Sequence, residues 1–365
     1  MSELDKIREN INSIDEQMAQ LFEKRMEMSE QVAAFKKARG LSIRDAERER
    51  ELIDRNRRHI TDPAVASYYV QFLRGVLDLS CAYQSRLLSG MKVAYSGVEG
   101  AYGYLAARRM FPEARLVAYP DFAAAHRAVE VGEADSVVLP LENSYAGEVG
   151  AVMDLLFSGE LYINQVLDME IDHSLLGVEN ATVDTVRAVV SHPQALRQCD
   201  DYIKRRGYAT ETYSNTAMAA EYVRRTNDPA LAAIASEDAA EVFGLQVLER
   251  GINTAKTNTT RFAALSRTRN QPETTKKRED ENFVLVFTVQ NDAGSLAQTL
   301  NIIGAHGYNM RTLRSRPMKG LSWKYFFYME AEGCINNTNG REMLQELSAT
   351  CAKLRLVGSY YANNI

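Results

Sequence analysis

The chain has 365 residues, with 43 Lys and Arg against 48 Asp and Glu and a net charge of -5. That balance excludes a general attraction to nucleic acid while leaving room for local basic pockets that hold small anions. The length calls for two or three domains. Cys81, Cys199, Cys334 and Cys351 form no CxxC pair, and no His stands at metal-ligand spacing, so reduced thiols, no disulfide, no metal and no cofactor are expected. A charged N-terminus, MSELDKIREN, and the lack of an apolar run long enough to span a bilayer predict no membrane association and a cytoplasmic location.

Residues 2–39 contain neither Gly nor Pro and place apolar side chains at Leu4, Ile7, Ile11, Ile14, Met18, Leu21, Met28, Val32 and Phe35. This heptad stripe predicts one long helix ending at Gly40. Asp45 to Arg58 and Ala64 to Leu88 read as two more helices of an all-α unit. Counting sevens from Leu4 brings Arg25 onto the stripe, where a buried guanidinium needs an anionic partner. A salt bridge within the bundle, a register-setting polar residue and an anion ligand all satisfy that need. Lys36 lies three turns further on nearly the same face. Arg8 shares the heptad phase of Lys36 but stands roughly 40 Å away along a straight helix. One small ligand cannot touch both from one chain, so a shared site implies an antiparallel dimer. Asp45, Arg48 and Glu49 open the second helix within one turn, and the third helix offers Ser80 and Gln84 at i, i+4. Several cations, a carboxylate and an amide, without a nucleophile, suit a small dianion whose reaction needs restraint and charge stabilisation.

These residues resemble the pattern of the AroQ-type helical chorismate mutases, matched here by Arg8, Arg25, Lys36, Asp45, Arg48, Glu49, Ser80 and Gln84. The resemblance implies that Arg25 and Arg8 of the partner subunit hold the carboxylates of chorismate. It also implies that Lys36 and Gln84 hydrogen-bond the breaking ether oxygen while Glu49 holds the ring hydroxyl.

Near Ser89 and Gly90 the pattern changes to short apolar strands alternating with helices: KVAYSG, SVVLPL, VRAVVSH, LAAIAS and RFAAL. This predicts an α/β domain with mainly parallel strands. Three strings end or follow those strands: PLENSYAGEVG from Pro140, SHPQALRQC from Ser191 and NTTRF from Asn258. Singly they read as caps and turns. Together they resemble prephenate dehydratase, a fold of two α/β subdomains with the site between them. That resemblance implies that Thr260 donates to the leaving hydroxyl of prephenate and that Arg261 belongs to an anion cradle. Asn143, Ser144, Ser191, Gln198 and Thr216 are the expected companions. Where that family carries a GPxGTFS loop, this chain has GVEGAYG, with Ala101 and Gly103 replacing hydroxyl residues.

A polar run, SRTRNQPETTKKREDE, reads as a linker. The element order βαββαβ after it describes a ferredoxin-like sandwich. This tail resembles an ACT regulatory domain, which implies a phenylalanine site near Gly294, Ser295 and Leu296 and at Arg314, Ser315, Arg316 and Pro317. Arg314 stands where a glutamate is expected, and a purely dimerising role for the tail stays open. The expected boundaries are 1–90, 91–267, a linker at 268–281, and 282–365. The whole chain resembles the bifunctional chorismate mutase/prephenate dehydratases with a C-terminal ACT domain, implying a homodimer or higher homo-oligomer in phenylalanine biosynthesis. Arogenate as the dehydratase substrate, or a non-catalytic amino-acid sensor, are the alternatives; the sensor leaves Arg8, Arg25, Lys36 and Glu49 unexplained.

Overall fold

The computed structural model describes residues 2–255, 257–270, 281–318 and 324–361. The chain forms two compact units, Met1–Lys92 and Val93–Ile365.

In the first unit, α1 (Glu3–Arg39) begins at a capping box: the Asp5 N–H donates to Ser2 Oγ at 3.2 Å, and the Ser2 N–H donates to Asp5 Oδ2 at 2.8 Å. It ends where Gly40 takes φ +64°, a left-handed conformation that costs glycine nothing. α2 (Ala46–Arg57) starts at the Asp45 cap and α3 (Pro63–Ser89) at the Asp62 cap. Both α1 and α2 lie against α3. Only Ser29 and Ala33 of α1 are buried, however, and the stripe from Leu4 to Phe35 stays 44–65% exposed. The heptad pattern thus makes a helix whose apolar seam is not covered within its own unit.

The second unit opens with β1 (Lys92–Ser96), α4 (Tyr102–Met110), β2 (Arg115–Tyr119), α5 (Phe122–Glu130), β3 (Ser136–Asn143), β4 (Gly147–Glu148), α6 (Gly150–Ser158) and β5 (Tyr162–Glu170). The chain then crosses to a second lobe: β6 (Ser174–Gly177), β7 (Ala188–Ser191), α7 (Pro193–Gln198), α8 (Asp200–Arg206), β8 (Ala209–Thr212), α9 (Thr216–Thr226), β9 (Leu231–Ala235), α10 (Glu237–Phe243) and β10 (Gln246–Glu249). It returns through β11 (Thr259–Ser266), which runs antiparallel between β3 and β5. The second lobe's sheet, ordered β10-β6-β9-β7-β8, is likewise mixed, with β6 antiparallel to both neighbours. The expectation of mainly parallel strands is therefore corrected. A strand that re-enters the first lobe from the second starts at the cleft end, so it must run against the strands that leave there.

The remaining elements are β12 (Glu281–Val289), α11 (Ser295–Ala305), β13 (Asn309–Pro317), β14 (Tyr325–Glu332), α12 (Thr338–Thr350) and β15 (Cys351–Tyr361). Of the expected linker, residues 271–280 lie outside the described residues. The terminal strands continue the first lobe's sheet in the order β13-β14-β12-β15-β5-β11-β3-β1-β2. The join is narrow: Gly358 of β15 pairs in parallel with Ile163 of β5, and a Cβ on Gly358 would lie 2.0 Å from the Ile163 carbonyl oxygen. β12 alternates as a two-faced strand should. Val284 and Val286 join Leu139, Leu156, Phe326, Tyr328 and Val357 in a core shared with the first lobe, whereas Phe283, Leu285 and Phe287 pack with Ile303, Met343 and Leu347 beneath α11 and α12.

Candidate functional site

In the first unit, Arg25 sits on the heptad stripe and α3 answers it, its guanidinium donating to Ser80 Oγ. Partial burial disfavours the charged form of Arg25 and lowers its pKa, a cost that a bound anion would offset. Gln84, one turn beyond Ser80, is buried with Oε1 lacking a partner among the described residues. Glu49 of α2 is met by Arg44 Nε at 3.4 Å and by Cys81 Sγ at 3.8 Å. Lys36 donates to the Ile43 carbonyl. Asp45 Oδ1 accepts the Arg48 N–H at 3.0 Å as a helix cap, and the Arg48 guanidinium lies 3.5 Å from Glu51. Arg8 stands apart on the exposed first half of α1. Arg44 and Cys81 were not singled out in the sequence. Arg44 precedes the helix, and Cys81 falls between two residues of the i, i+4 pattern without belonging to it.

In the second unit, the two crossings between lobes are laced together. The Ile171 N–H donates to the Asn258 carbonyl at 2.8 Å, Asn253 Nδ2 donates to the Ile171 carbonyl at 2.8 Å, and the His173 N–H donates to Asn253 Oδ1 at 2.7 Å. Beside them lies a cleft of about 660 Å³, lined by Asn143, Thr260 and Phe262 from the first lobe and by His192, Gln198 and Thr216 from the second. Asn143 Nδ2 donates to Thr260 Oγ1 at 2.9 Å and to Asn258 Oδ1 at 2.8 Å, and Asn143 Oδ1 accepts from the N–H groups of Tyr145 and Ala146 at 3.1 and 2.9 Å. Because Asn143 donates to Thr260, the threonine's own O–H is left to donate into the cleft. Gln194 Nε2 of the second lobe reaches Asn143 Oδ1 at 3.4 Å.

No Lys or Arg is among the described residues lining this cleft. Two helix N-termini open on it instead: Ala101 to Gly103 at α4, which has no side-chain cap, and Asn215 and Thr216 at α9, where Asn215 caps the Met218 N–H. First-turn N–H groups without helical partners are the kind of donor that suits an anion. Gly97 and Gly100 take φ +103° and +82°, which brings the loop before α4 round to the cleft without a strained side chain. Tyr102 and His173, both missed in the sequence, extend the site. Tyr102 Oη donates to the Asp172 carbonyl at 2.8 Å and lies 3.1 Å from His173 Nδ1, while His173 Nε2 is 2.9 Å from Gln198 Oε1. Burial holds the His173 pKa below its ordinary value, so this relay positions Gln198 with a neutral imidazole.

Two expected companions, Ser191 and Ser144, and the expected cradle residue Arg261 lie elsewhere. Ser191 is fully buried and donates to the Ile234 carbonyl at 2.5 Å, pinning β7 to β9. Ser144 Oγ donates to the Thr257 carbonyl at 3.1 Å and accepts the Thr259 N–H at 2.9 Å, tying the loop after β3 to the start of β11. Arg261 follows Thr260 on a strand, so its side chain points to the opposite face. There it donates to both Asp168 oxygens, at 2.8 and 3.0 Å, and lies 3.4 Å from Glu330, away from the cleft. In the terminal unit Gly294 takes φ +87° just before α11, where Ser295 and Leu296 form the first turn. Arg314 and Arg316 point toward the first lobe and pair with Glu142 and with Glu148 and Asp154, whereas Ser315 and Pro317 lie on the exposed face of β13.

A helical unit with a cationic seam and a two-lobed cleft built on helix N-termini together define a two-domain enzyme of small anionic substrates. Residues 7–85 match the family model for chorismate mutase type II, and residues 93–270 match that for prephenate dehydratase. The chain is 31% identical over 377 aligned positions to the bifunctional chorismate mutase/prephenate dehydratase of Enterobacter agglomerans, spanning 98% of this chain and 96% of that one. Among solved structures, a prephenate dehydratase from Arthrobacter aurescens in complex with L-Phe superposes with a TM-score of 0.68 at 25% identity, covering 74% of this chain and 90% of that one. A protein described as GqqA, a novel type of quorum quenching acylase, has TM-score 0.67 at 32% identity, covering 75% of this chain and 98% of that one. The chain belongs to the bifunctional chorismate mutase/prephenate dehydratase family. It carries both activities, rearranging chorismate to prephenate and converting prephenate to phenylpyruvate in the formation of phenylalanine.

Proposed function

We propose that the dehydratase reaction runs in the cleft between the two lobes, with Thr260 as the hydrogen-bond donor to the leaving hydroxyl. The observation that carries this reading is the Asn143 amide donating to Thr260 Oγ1 at 2.9 Å, which frees the threonine proton for the substrate. The bond from the ring to its carboxylate breaks, its electron pair enters the ring, and hydroxide departs as the ring becomes aromatic and CO2 leaves. A threonine is too weak an acid to surrender its proton outright, so Thr260 stabilises the departing hydroxide by hydrogen bonding, and the hydroxide takes from solvent the proton that makes it water. The N-termini of α4 and α9 hold the substrate's anionic groups in place of the arginine expected at 261, with Gln198 and Thr216 as polar contacts. Ala101 and Gly103 contribute backbone rather than hydroxyl groups.

The mutase reaction takes place in the helical unit, with Arg25, Lys36, Glu49, Ser80 and Gln84 around the substrate. Its site is completed by Arg8 of the partner subunit in a homodimer. The exposed stripe on α1 and the position of Arg8 support this reading. The terminal βαββαβ unit is a ferredoxin-like ACT domain that takes phenylalanine as effector, and the chain works in the cytoplasm. No helix among the described residues is long and apolar enough to cross a membrane.

Incubation with chorismate, following prephenate and phenylpyruvate separately, tests the assignment. Lys36→Ala should abolish the mutase and spare the dehydratase; Thr260→Ala should do the reverse, lowering dehydratase kcat by about 100-fold. Unimpaired dehydratase turnover in Thr260→Ala would move the chemistry out of this cleft. Calorimetry with phenylalanine, beside dehydratase rates, tests the effector site.

A further inference from the structure

Asn143 and Thr260 each have a charged chain neighbour on the opposite face, Glu142 and Arg261, and each of those neighbours has a partner of opposite charge in the terminal unit, Arg261 in addition to its closer pair with Asp168. Thr260 faces the cleft, while Arg261 lies 3.4 Å from Glu330 of β14, which is only 2% exposed and accepts the Tyr360 hydroxyl at 2.5 Å. Asn143 faces the cleft, while Glu142 accepts from the Arg314 guanidinium of β13. β4, which pairs Glu148 against Glu142, is held by Arg316 Nη1 on Glu148 at 2.7 Å, and the same guanidinium reaches Asp154 of α6 at 3.2 Å. Buried Tyr328 sits among Glu330, Arg261, Glu142 and Arg314, so the two arms form one continuous seam of charge.

We propose that Arg314 is a positioning residue for the dehydratase: its ion pair with Glu142 fixes the end of β3 and so sets where the Asn143 amide meets Thr260. The inference rests on the placing of Asn143 and Thr260 in the dehydratase site. Its physical basis is leverage across a strand. Adjacent residues share one peptide backbone but face opposite sides, so a displacement imposed on Glu142 from the terminal unit moves Asn143 with it. The Asn143 amide holds Thr260, Asn258 and two loop N–H groups at once, leaving it little room to compensate. Loss of the pair therefore misaligns the donor aimed at the leaving oxygen, an effect on kcat more than on substrate binding.

The test uses the full chain, with its own mutase rate as internal control. Arg314→Glu and Glu142→Arg should each lower dehydratase kcat about ten-fold with KM little changed, and Arg314→Lys should retain most of the activity. The double exchange should recover most of the loss, as coupling between contacting charges requires. Arg314→Gln, a neutral and gentler change, serves if the reversed variants fail to fold by circular dichroism, and should give a smaller loss of the same kind. Single variants with wild-type kcat, or a double exchange no better than the worse single variant, would overturn the proposal. Asn143→Ala measured in parallel separates the two levels. If it is fully active, the reading of the site itself fails; if it is inactive while Arg314→Gln and Arg314→Glu are unimpaired, only the positioning role fails.

Discussion

Thr260 and Arg261 are neighbours in sequence with opposite duties. The period of a strand sends one into the cleft and the other into the seam beneath the terminal unit. The motif TTRF reads as a donor, Thr260, beside an anion-cradle residue, Arg261, and assigning both to one site overlooked that alternation, which the sequence itself contained. Ser191 shows a different gap: a hydroxyl in a pointed motif can be consumed by a backbone carbonyl, and nothing local distinguishes the two fates. His173 and Tyr102 were missed because their relay joins residues far apart in the chain. Arg261→Ala should leave buried Glu330 without its guanidinium and destabilise the second unit by about 3 kcal/mol, read by urea denaturation. Thr260→Ala should cost about 1 kcal/mol at most while losing turnover. An Arg261→Ala chain of unchanged stability with a raised KM for prephenate would instead place Arg261 on the substrate.

At the level of elements, periodicity and the stop at Gly40 foretold α1 almost to the residue, and the order βαββαβ was readable from alternating patterns. What the pattern could not disclose was that β15 joins β5, because register between remote strands leaves no local trace. The same limit hid the division of RSRP, in which Arg314 and Arg316 face the first lobe and Ser315 and Pro317 face outward. Gly358 is the narrowest point of the join, and its neighbour there is backbone, which cannot step aside as a flexible side chain could. Gly358→Ala should part β15 from β5 and destabilise the second unit by roughly 2–3 kcal/mol. Hydrogen exchange should then be faster at β5 and β15 than at β7 and β9; uniform protection would show that the join tolerates a methyl group.

For the whole molecule, pH acts through two buried imidazoles, His126 and His173, and one half-buried at the cleft, His192. Burial holds His126, His173 and His192 below the ordinary value of 6.5. Between those depressed values and 6.5 the unfolded chain binds more protons than the folded one, so stability rises with pH across that window. It should be fully present above 6.5, fall as the medium is acidified below it, and level off once pH drops beneath the folded values. His306, raised by its bond to Asn339, opposes this from the surface. A lower thermal midpoint at pH 5.5 than at pH 7.5 is expected, and an equal or higher midpoint at pH 5.5 would show that these three imidazoles do not govern the acid side of stability. The continuous sheet also bears on how the protein is made. Ile163 meets Gly358 across roughly two hundred residues of intervening chain. At synthesis rates of about 5–20 residues per second, β5 waits on the order of ten to forty seconds for the strand that covers its edge. Even after β11 has paired with one side of β5, the other side stays an open edge beside an unfinished apolar core, the kind of edge that recruits other chains. A ribosome stalled before Cys351 would therefore hold an aggregation-prone intermediate, and release of the last eleven described residues is the event that ends its exposure.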